Sequence, residues 1–432
     1  MHARKCLCTY PQQFPTLQVM TTNTTDCLPS WLDKEFTEKS LKDSNNYQDF
    51  KVLSVDVQRA SALGENFMSE IYRMTVELEH KVKRHKETVS LIVKLFPGGE
   101  VMQKIAQDMQ AFEREILMFS ETIPAMTQIL QKAAPGKYTQ LSAMCFTSGT
   151  QPVIYVVLED LKGRGFAMAE RCKGLDLAHA KLVVRKLAEF HASSIALYAQ
   201  NPASMDKYKT FQLFEGETGK HTESFLKLGC KGLADQLETL EKSYSQYAPR
   251  VRALSENLYP RLAEMAKQKG KFCALAHADT WTNNIMFKYS GSAVQDVVLL
   301  DFQVSCYYSP SIDLHHFIHT SITEQVYADH LTDLLKEYYN RLMEVMEDIG
   351  ISRDKQISFE EVLQDFEAHM LYGLYIAITE LPVVRSEGES GFDVEASMKG
   401  TYTDDNRSAF TGAVYMQAIK RMLPEFEKRG LL

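Results

Sequence analysis

Hydrophobic periodicity changes character once along this chain, and that change limits the architectures open to it. Before residue 158 the chain reads as strands. Lys51–Ala60 alternates, with Val52, Ser54, Asp56 and Gln58 on one face; Ile71–Glu79 alternates too; Leu91–Phe96 is a short apolar run. Val153–Leu158 reads as a buried strand that breaks into Glu159-Asp160-Leu161-Lys162-Gly163. After Gly163 the spacing becomes helical: Leu177–Tyr198, most of 205–270 (Leu254, Leu258, Leu262 and Met265 in register), then Ile322–Ile349, Phe359–Thr379 and Arg407–Glu427. A short β segment interrupts at 272–304. The pattern predicts an α+β chain with a small β-rich N-lobe over 29–157, a linker at 158–163 and a larger helical C-lobe over 164–432.

Local signals refine this outline. Residues 1–28 are polar and Thr-rich without a sustained period, the pattern of a disordered extension. Ser30 is placed to cap a helix carrying Trp31, Leu32, Phe36 and Leu41. Gln103–Phe119 reads as a helix ended by Pro124, and Leu141–Phe146 as a strand.

Composition removes several classes of function. The chain has 432 residues, 45% of them hydrophobic, and a formal net charge of -8, so a wholly disordered chain is excluded. A nucleic-acid binder would show a basic stripe. The basic runs here are short, and Lys81–Lys86 reads as a solvated hairpin turn. No apolar run reaches the ~18 residues of a membrane helix. The eight cysteines are scattered, and the one close pair, Cys6 and Cys8, lacks zinc-site spacing. Those features point to a reduced, cytoplasmic setting with neither a membrane nor a protein partner evident.

The chemistry concentrates in residues 275–303. His277, Asp279, Trp281, Asn284 and Phe287 are followed by the apolar run Val297–Leu300 and then Asp301-Phe302-Gln303. Phosphoryl transfer needs a carboxylate to accept or orient the attacking hydroxyl, which suits Asp279. It needs a second carboxylate on the divalent ion that bridges the phosphates, which suits Asp301, and an amide oxygen to complete the metal set, which suits Asn284. An Asn five positions after the Asp, then a strand and a second Asp, is the order found in protein kinases.

That segment resembles the ecdysteroid kinase-like family, also called CHK kinase-like, which is related to choline kinases and aminoglycoside phosphotransferases. The family string is close to H-G-D-x-W-x-x-N-x-x-F, then D-F-Q. This chain keeps all of it except the glycine, which is Ala278 here. The resemblance implies a two-lobed protein-kinase-like fold and transfer of a phosphoryl group from ATP, with Mg2+, to a hydroxyl of a small molecule. An ecdysteroid or another apolar alcohol is the implied acceptor. It implies that Gly64 and Asn66 sit in a phosphate-covering hairpin and that Lys94 orients the phosphates. Glu115 would hold Lys94, with Glu113 the alternative partner. Residues 158–163 would form the hinge, with Glu159 and Leu161 bordering adenine. His191 reads as structural. Asp313 resembles the acidic residue that braces the catalytic loop in related kinases, with a helix N-cap the equal alternative.

Two other patterns fail on inspection. Gly216–Thr222 misses the P-loop spacing, with Phe214 in place of the first Gly. His315 and His319 lack the third ligand and base of a zincin. No A-P-E segment follows Asp301, so a protein substrate is disfavoured. The rival readings are a choline or ethanolamine kinase and a catalytically silent nucleotide-binding scaffold. The intact set Lys94, Asp279, Asn284 and Asp301 argues against the second.

Overall fold

The computed structural model describes residues 28–44, 46–60, 68–82, 84–268, 270, 272–386, 393, 396–397 and 401–432. All of the expected N-terminal extension except Leu28 lies outside the described residues, and so do Gly64 and Asn66. The chain divides into two compact units. The first takes residues up to Pro124 together with Ser142–Phe166; the second takes Ala125–Leu141 and Ala167–Leu432.

The first unit opens with α1 (Lys34–Asp43), and its cap corrects the sequence reading. Asp33, not Ser30, is the N-cap, and its carboxylate accepts from the Phe36 amide at 2.9 Å. A five-stranded antiparallel sheet follows in the order β1-β2-β3-β5-β4. The strands are β1 (Phe50–Arg59), β2 (Glu70–His80), β3 (Lys86–Leu95), β4 (Cys145–Gly149) and β5 (Tyr155–Glu159). Alternation sends Tyr72, Met74, Val76 and Leu78 of β2 to one face. There they meet Val89, Leu91 and Val93 of β3 in a core that also holds Leu41 and Phe50. Burial of each such side chain stabilises the unit by roughly 1.5–3 kcal/mol.

The helix expected over 103–119 is broken. It divides into α2 (Glu100–Asp108) and α3 (Ala111–Leu117), because Gln110 takes a left-handed φ of 49° between them. Nor does Pro124 end the helical path. A π turn at Met118–Thr122 leads into α4 (Ile123–Ala133), so Pro124 lies in that helix's first turn. Having no N–H, Pro124 leaves unmade the bond that a continuous helical path would give at this position, and the wider π turn before it makes room for the ring. The strand expected at 141–146 begins four residues later, as β4.

The second unit is mainly helical, and the rejected P-loop segment Gly216–Thr222 opens one of its helices, Gly216–Glu238. The elements that build the site are α5 (Leu177–Gln200), then a set of short strands, then α-helices. Because the strand at Phe166–Met168 straddles the two units, the strands named here continue as β6 (Ala274–Ala276), β7 (Ile285–Ser290), β8 (Ala293–Leu299) and β9 (Cys306–Tyr308). β6 pairs antiparallel with β9, and β7 with β8. Two helices of this unit also carry side chains of the site: Ser311–Thr320 and Met370–Val384. These two approach closely at Gly373, where a Cβ would stand 2.9 Å from His319 Cε1. The helix expected over 359–379 breaks just before Met370, with His369 outside helical geometry. Among the described residues no helix is long and apolar enough to cross a membrane.

Candidate active site

In the second unit the site is assembled on β6, on the loop that follows it, and on the β7–β8 hairpin. β6 is fixed from two sides. It pairs with β9, and the Leu275 amide donates to Ser194 Oγ of α5 at 2.9 Å. The loop then turns through Ala278, whose φ of 65° is left-handed. An alanine there is held about 1–2 kcal/mol above an ordinary conformation, so something must hold it. That something is Asp313. Its Oδ2 accepts from the His277 amide at 2.8 Å and its Oδ1 from the Ala278 amide at 2.6 Å. Thr280 Oγ1 donates to the Asp313 carbonyl at 2.9 Å.

Asp313 is therefore occupied by the loop and is not a cap; its helix begins after Pro310. The fully buried His191 ring completes the arrangement, donating from Nε2 to Asp313 Oδ2 at 2.9 Å. Its Nδ1 pairs with the Tyr338 hydroxyl at 3.0 Å. Burial alone would raise the Asp313 carboxyl. The His191 and His277 hydrogen bonds outweigh burial and hold it below the ordinary carboxylate range.

His277 is a clamp as well. Its Nε2 donates to the Leu300 carbonyl at 2.8 Å, which leaves Nδ1 to accept the Asp279 amide at 3.2 Å. Burial lowers its pKa, in keeping with a neutral ring. Phe302, also fully buried, lies against that ring with centroids 4.8 Å apart.

The expected catalytic residues meet around this frame. Asn284 Nδ2 donates to Asp279 Oδ2 at 2.7 Å and to the Asp279 carbonyl at 3.0 Å. That leaves the amide oxygen as the atom Asn284 can offer a cation. Asn284 precedes β7 and Asp301 follows β8. The register Ile285↔Leu299, extended by a Leu300 amide bond to the Asn284 carbonyl at 2.8 Å, brings both to one end of the hairpin. Asp301 also takes a left-handed φ, 62°. An amide oxygen and a carboxylate are hard donors of the kind Mg2+ takes.

A further side chain and an unforeseen carboxyl lie nearby. His316 Nε2 stands 3.5 Å from Asp279 Oδ1, and burial pushes the His316 ring down to about 4, so this contact is not an ion pair near neutral pH. Tyr375 lies within electrostatic reach of Asp279 and 3.5 Å from Glu380 Oε1. Glu380 as a residue keeps some exposure, but burial of its carboxyl pushes that group up to about 7. Sequence reasoning missed Glu380, although one signal was present: it is the only charged residue in Met370–Val384. A carboxyl raised in the folded state binds more protons there than in the unfolded chain. Stability should therefore fall as pH rises from the ordinary carboxylate range through about 7. Glu380→Gln removes that component, so the variant should gain stability relative to the parent between pH 4 and pH 8 in denaturant unfolding. An identical difference at both pH values would contradict this assignment.

In the first unit, Lys94 Nζ pairs with Glu115 Oε1 at 2.8 Å, both side chains being 5% exposed or less. Of the two candidates, Glu115 is thus the partner of Lys94. Glu113 is elsewhere, with a carboxyl raised by burial. Glu159 ends β5 and Leu161 begins a 3-10 turn capped by Asp160. Asp160 Oδ2 accepts from Arg73 Nε and from Ser90 Oγ, each at 2.7 Å, which ties this segment to β2 and β3.

An antiparallel-sheet unit, a helical unit and a loop of this composition define a kinase-like α+β fold. The sequence model of the ecdysteroid kinase-like family matches residues 63–351, and the chain belongs to that family. It is accordingly a phosphotransferase acting on hydroxyl groups of small molecules. No curated protein matches the chain. Among solved structures it is similar to a Plasmodium vivax ethanolamine kinase, at 13% identity over 87% of this chain and 83% of that one, with a TM-score of 0.44. It is also similar to the GDP complex of a mutant aminoglycoside 2'-phosphotransferase-IIIa, at 11% identity over 90% and 97%, with a TM-score of 0.42.

Proposed function

We propose that the chain transfers the γ-phosphoryl of ATP to a hydroxyl of an apolar alcohol, an ecdysteroid or a hydroxylated xenobiotic. The observation that carries this reading is the convergence of Asp279, Asn284 and Asp301 on one end of the β7–β8 hairpin. In this reading Asp279 accepts the proton of the attacking hydroxyl, and Asn284 orients Asp279. Lys94, fixed by Glu115, orients the nucleotide phosphates, and Glu159 and Leu161 border the adenine. Asn284 and Asp301 would hold Mg2+, which when bound neutralises charge on the phosphates. Catalysis then rests on positioning and electrostatics without a covalent intermediate. We place the chain in a reduced, cytoplasmic setting, in keeping with the scattered cysteines of the sequence.

One observation favours a second acceptor. Glu380 lies beside the ring of Tyr375 and near that of Tyr372, and aromatic faces with a carboxyl also suit the ammonium of choline or ethanolamine. We favour the apolar alcohol because Trp281 and Asp301-Phe302-Gln303 follow the ecdysteroid kinase-like string. The test is ATP consumption against a panel holding a 20- or 22-hydroxylated steroid, simple apolar alcohols, choline and ethanolamine at matched concentrations. Turnover of a steroid or apolar alcohol is the expected result. Turnover of choline alone would move the assignment to the amino alcohols, and ATP binding without turnover of any acceptor would favour a silent scaffold.

A further inference from the structure

The β2–β3 hairpin carries a second cluster of ligating side chains, which the phosphotransfer reading does not use. We propose that its tip binds a first-row divalent transition-metal ion of the zinc class through His80, His85 and Glu87. The register Glu79↔Lys86 places His80 and His85 opposite each other as the strands meet the turn, and the His80 amide donates to the His85 carbonyl at 3.0 Å. Opposed residues share a face, so the two rings lie parallel with centroids 4.2 Å apart. Glu87, two residues beyond His85, returns to that same face, and its Oε2 stands 2.7 Å from His80 Nε2. One ligand atom from each of the three residues lies within 4.8 Å of the other two.

Tetrahedral bonds of about 2.1 Å place ligand atoms about 3.4 Å apart. His80 and Glu87 are already closer than that. His85 is exposed and can swing inward without disturbing the core. Two imidazoles and one carboxylate, with a position left for water, form a set that suits zinc. Mg2+ would disfavour the imidazoles, so this site differs in kind from the oxygen donors of Asn284 and Asp301. Tyr47 supplies an outer contact: its hydroxyl hydrogen-bonds Glu87. Lys81, Arg84 and Lys86 line the same turn and oppose a cation, so binding requires all three ligands together.

The experiment uses the full chain in metal-free form. Zn2+ is titrated calorimetrically into the parent, His85→Ala and Glu87→Gln proteins, with Mg2+ as the control ion. Co2+ is then added to the parent and its absorption recorded. The expected result is one Zn2+ equivalent in the parent, about tenfold or more weaker in each variant, with no comparable Mg2+ response. The Co2+ complex should lack the intense near-ultraviolet band of a thiolate ligand. Both substitutions lie at the hairpin tip, and melting of the metal-free variants within a few degrees of the parent would confirm that they fold. Parental Zn2+ affinity in both variants, a thiolate band with Co2+, or no Zn2+ binding by the parent would each overturn the proposal.

Discussion

Replacing Asp301 with asparagine should reduce turnover by about 10²–10³-fold or more and remove the gain in ATP affinity that Mg2+ brings. The substitution is well suited to the question. Asp301 sits at a φ of 62°, a region that asparagine tolerates better than other non-glycine residues, so the backbone need not move. Its side chain has nearly the same shape, and the change is confined to one negative charge. The measurement is ATP affinity by calorimetry with and without Mg2+, beside turnover on the best acceptor of the panel. The parent should bind ATP more tightly with Mg2+, and the variant should show little difference between the two conditions. An unchanged Mg2+ effect would remove Asp301 from the metal set.

Asp279→Asn should behave differently, leaving ATP–Mg2+ binding close to that of the parent while cutting the rate by ~10²-fold or more. The amide can still accept from Asn284 Nδ2, which donates to Asp279 Oδ2 at 2.7 Å, so the neighbouring ligand keeps its orientation. What the variant loses is the ability to take the proton of the attacking hydroxyl. Single-turnover kinetics separate the chemical step from binding. If turnover stayed near parental, proton acceptance would belong to another group. His277 could not supply it, because both of its ring nitrogens are engaged, by the Leu300 carbonyl and the Asp279 amide. His316, 3.5 Å from Asp279, would be the next group to replace.

The strands of the first unit were legible because their cores alternate with period two, except in β1, where a bulge between Val52 and Ser54 puts Val55 and Val57, not Ser54, Asp56 and Gln58, on the side of Val52. The second unit was legible as helical because its apolar residues recur every three or four positions. Breaks within helices were not legible. Nothing about glutamine announces the left-handed φ at Gln110, and Pro124 reads as a terminator unless the π turn before it is known. The cap on α1 was misplaced because Ser30 and Asp33 are both good caps, and only geometry separates them.

The same division holds at the site. Asp279, Asn284 and Asp301 stand in a compact linear pattern that hairpin register brings together. The choice between Glu115 and Glu113 depended on the rotation of a short helix, which two residues of spacing cannot decide. Glu380 lies about a hundred residues beyond Asp279 in the sequence, and no local pattern connects a lone helical glutamate to a distant loop.

Asp313 also bears on when the loop acquires its shape. The carboxylate that fixes the loop lies 36 and 35 residues beyond the two amides it accepts, and 122 residues beyond the histidine that supports it. Contacts of such long sequence separation form only after the intervening chain has closed its loops, at an entropic cost that local contacts do not carry. During synthesis, residues 277–284 are made before the side chain that will fix them. The left-handed turn at Ala278 has no support of its own and cannot persist until that carboxylate arrives. Competence for chemistry is thus a late event in the folding of this chain, gained only when the helix that carries Asp313, buried along its whole length, has packed into its unit.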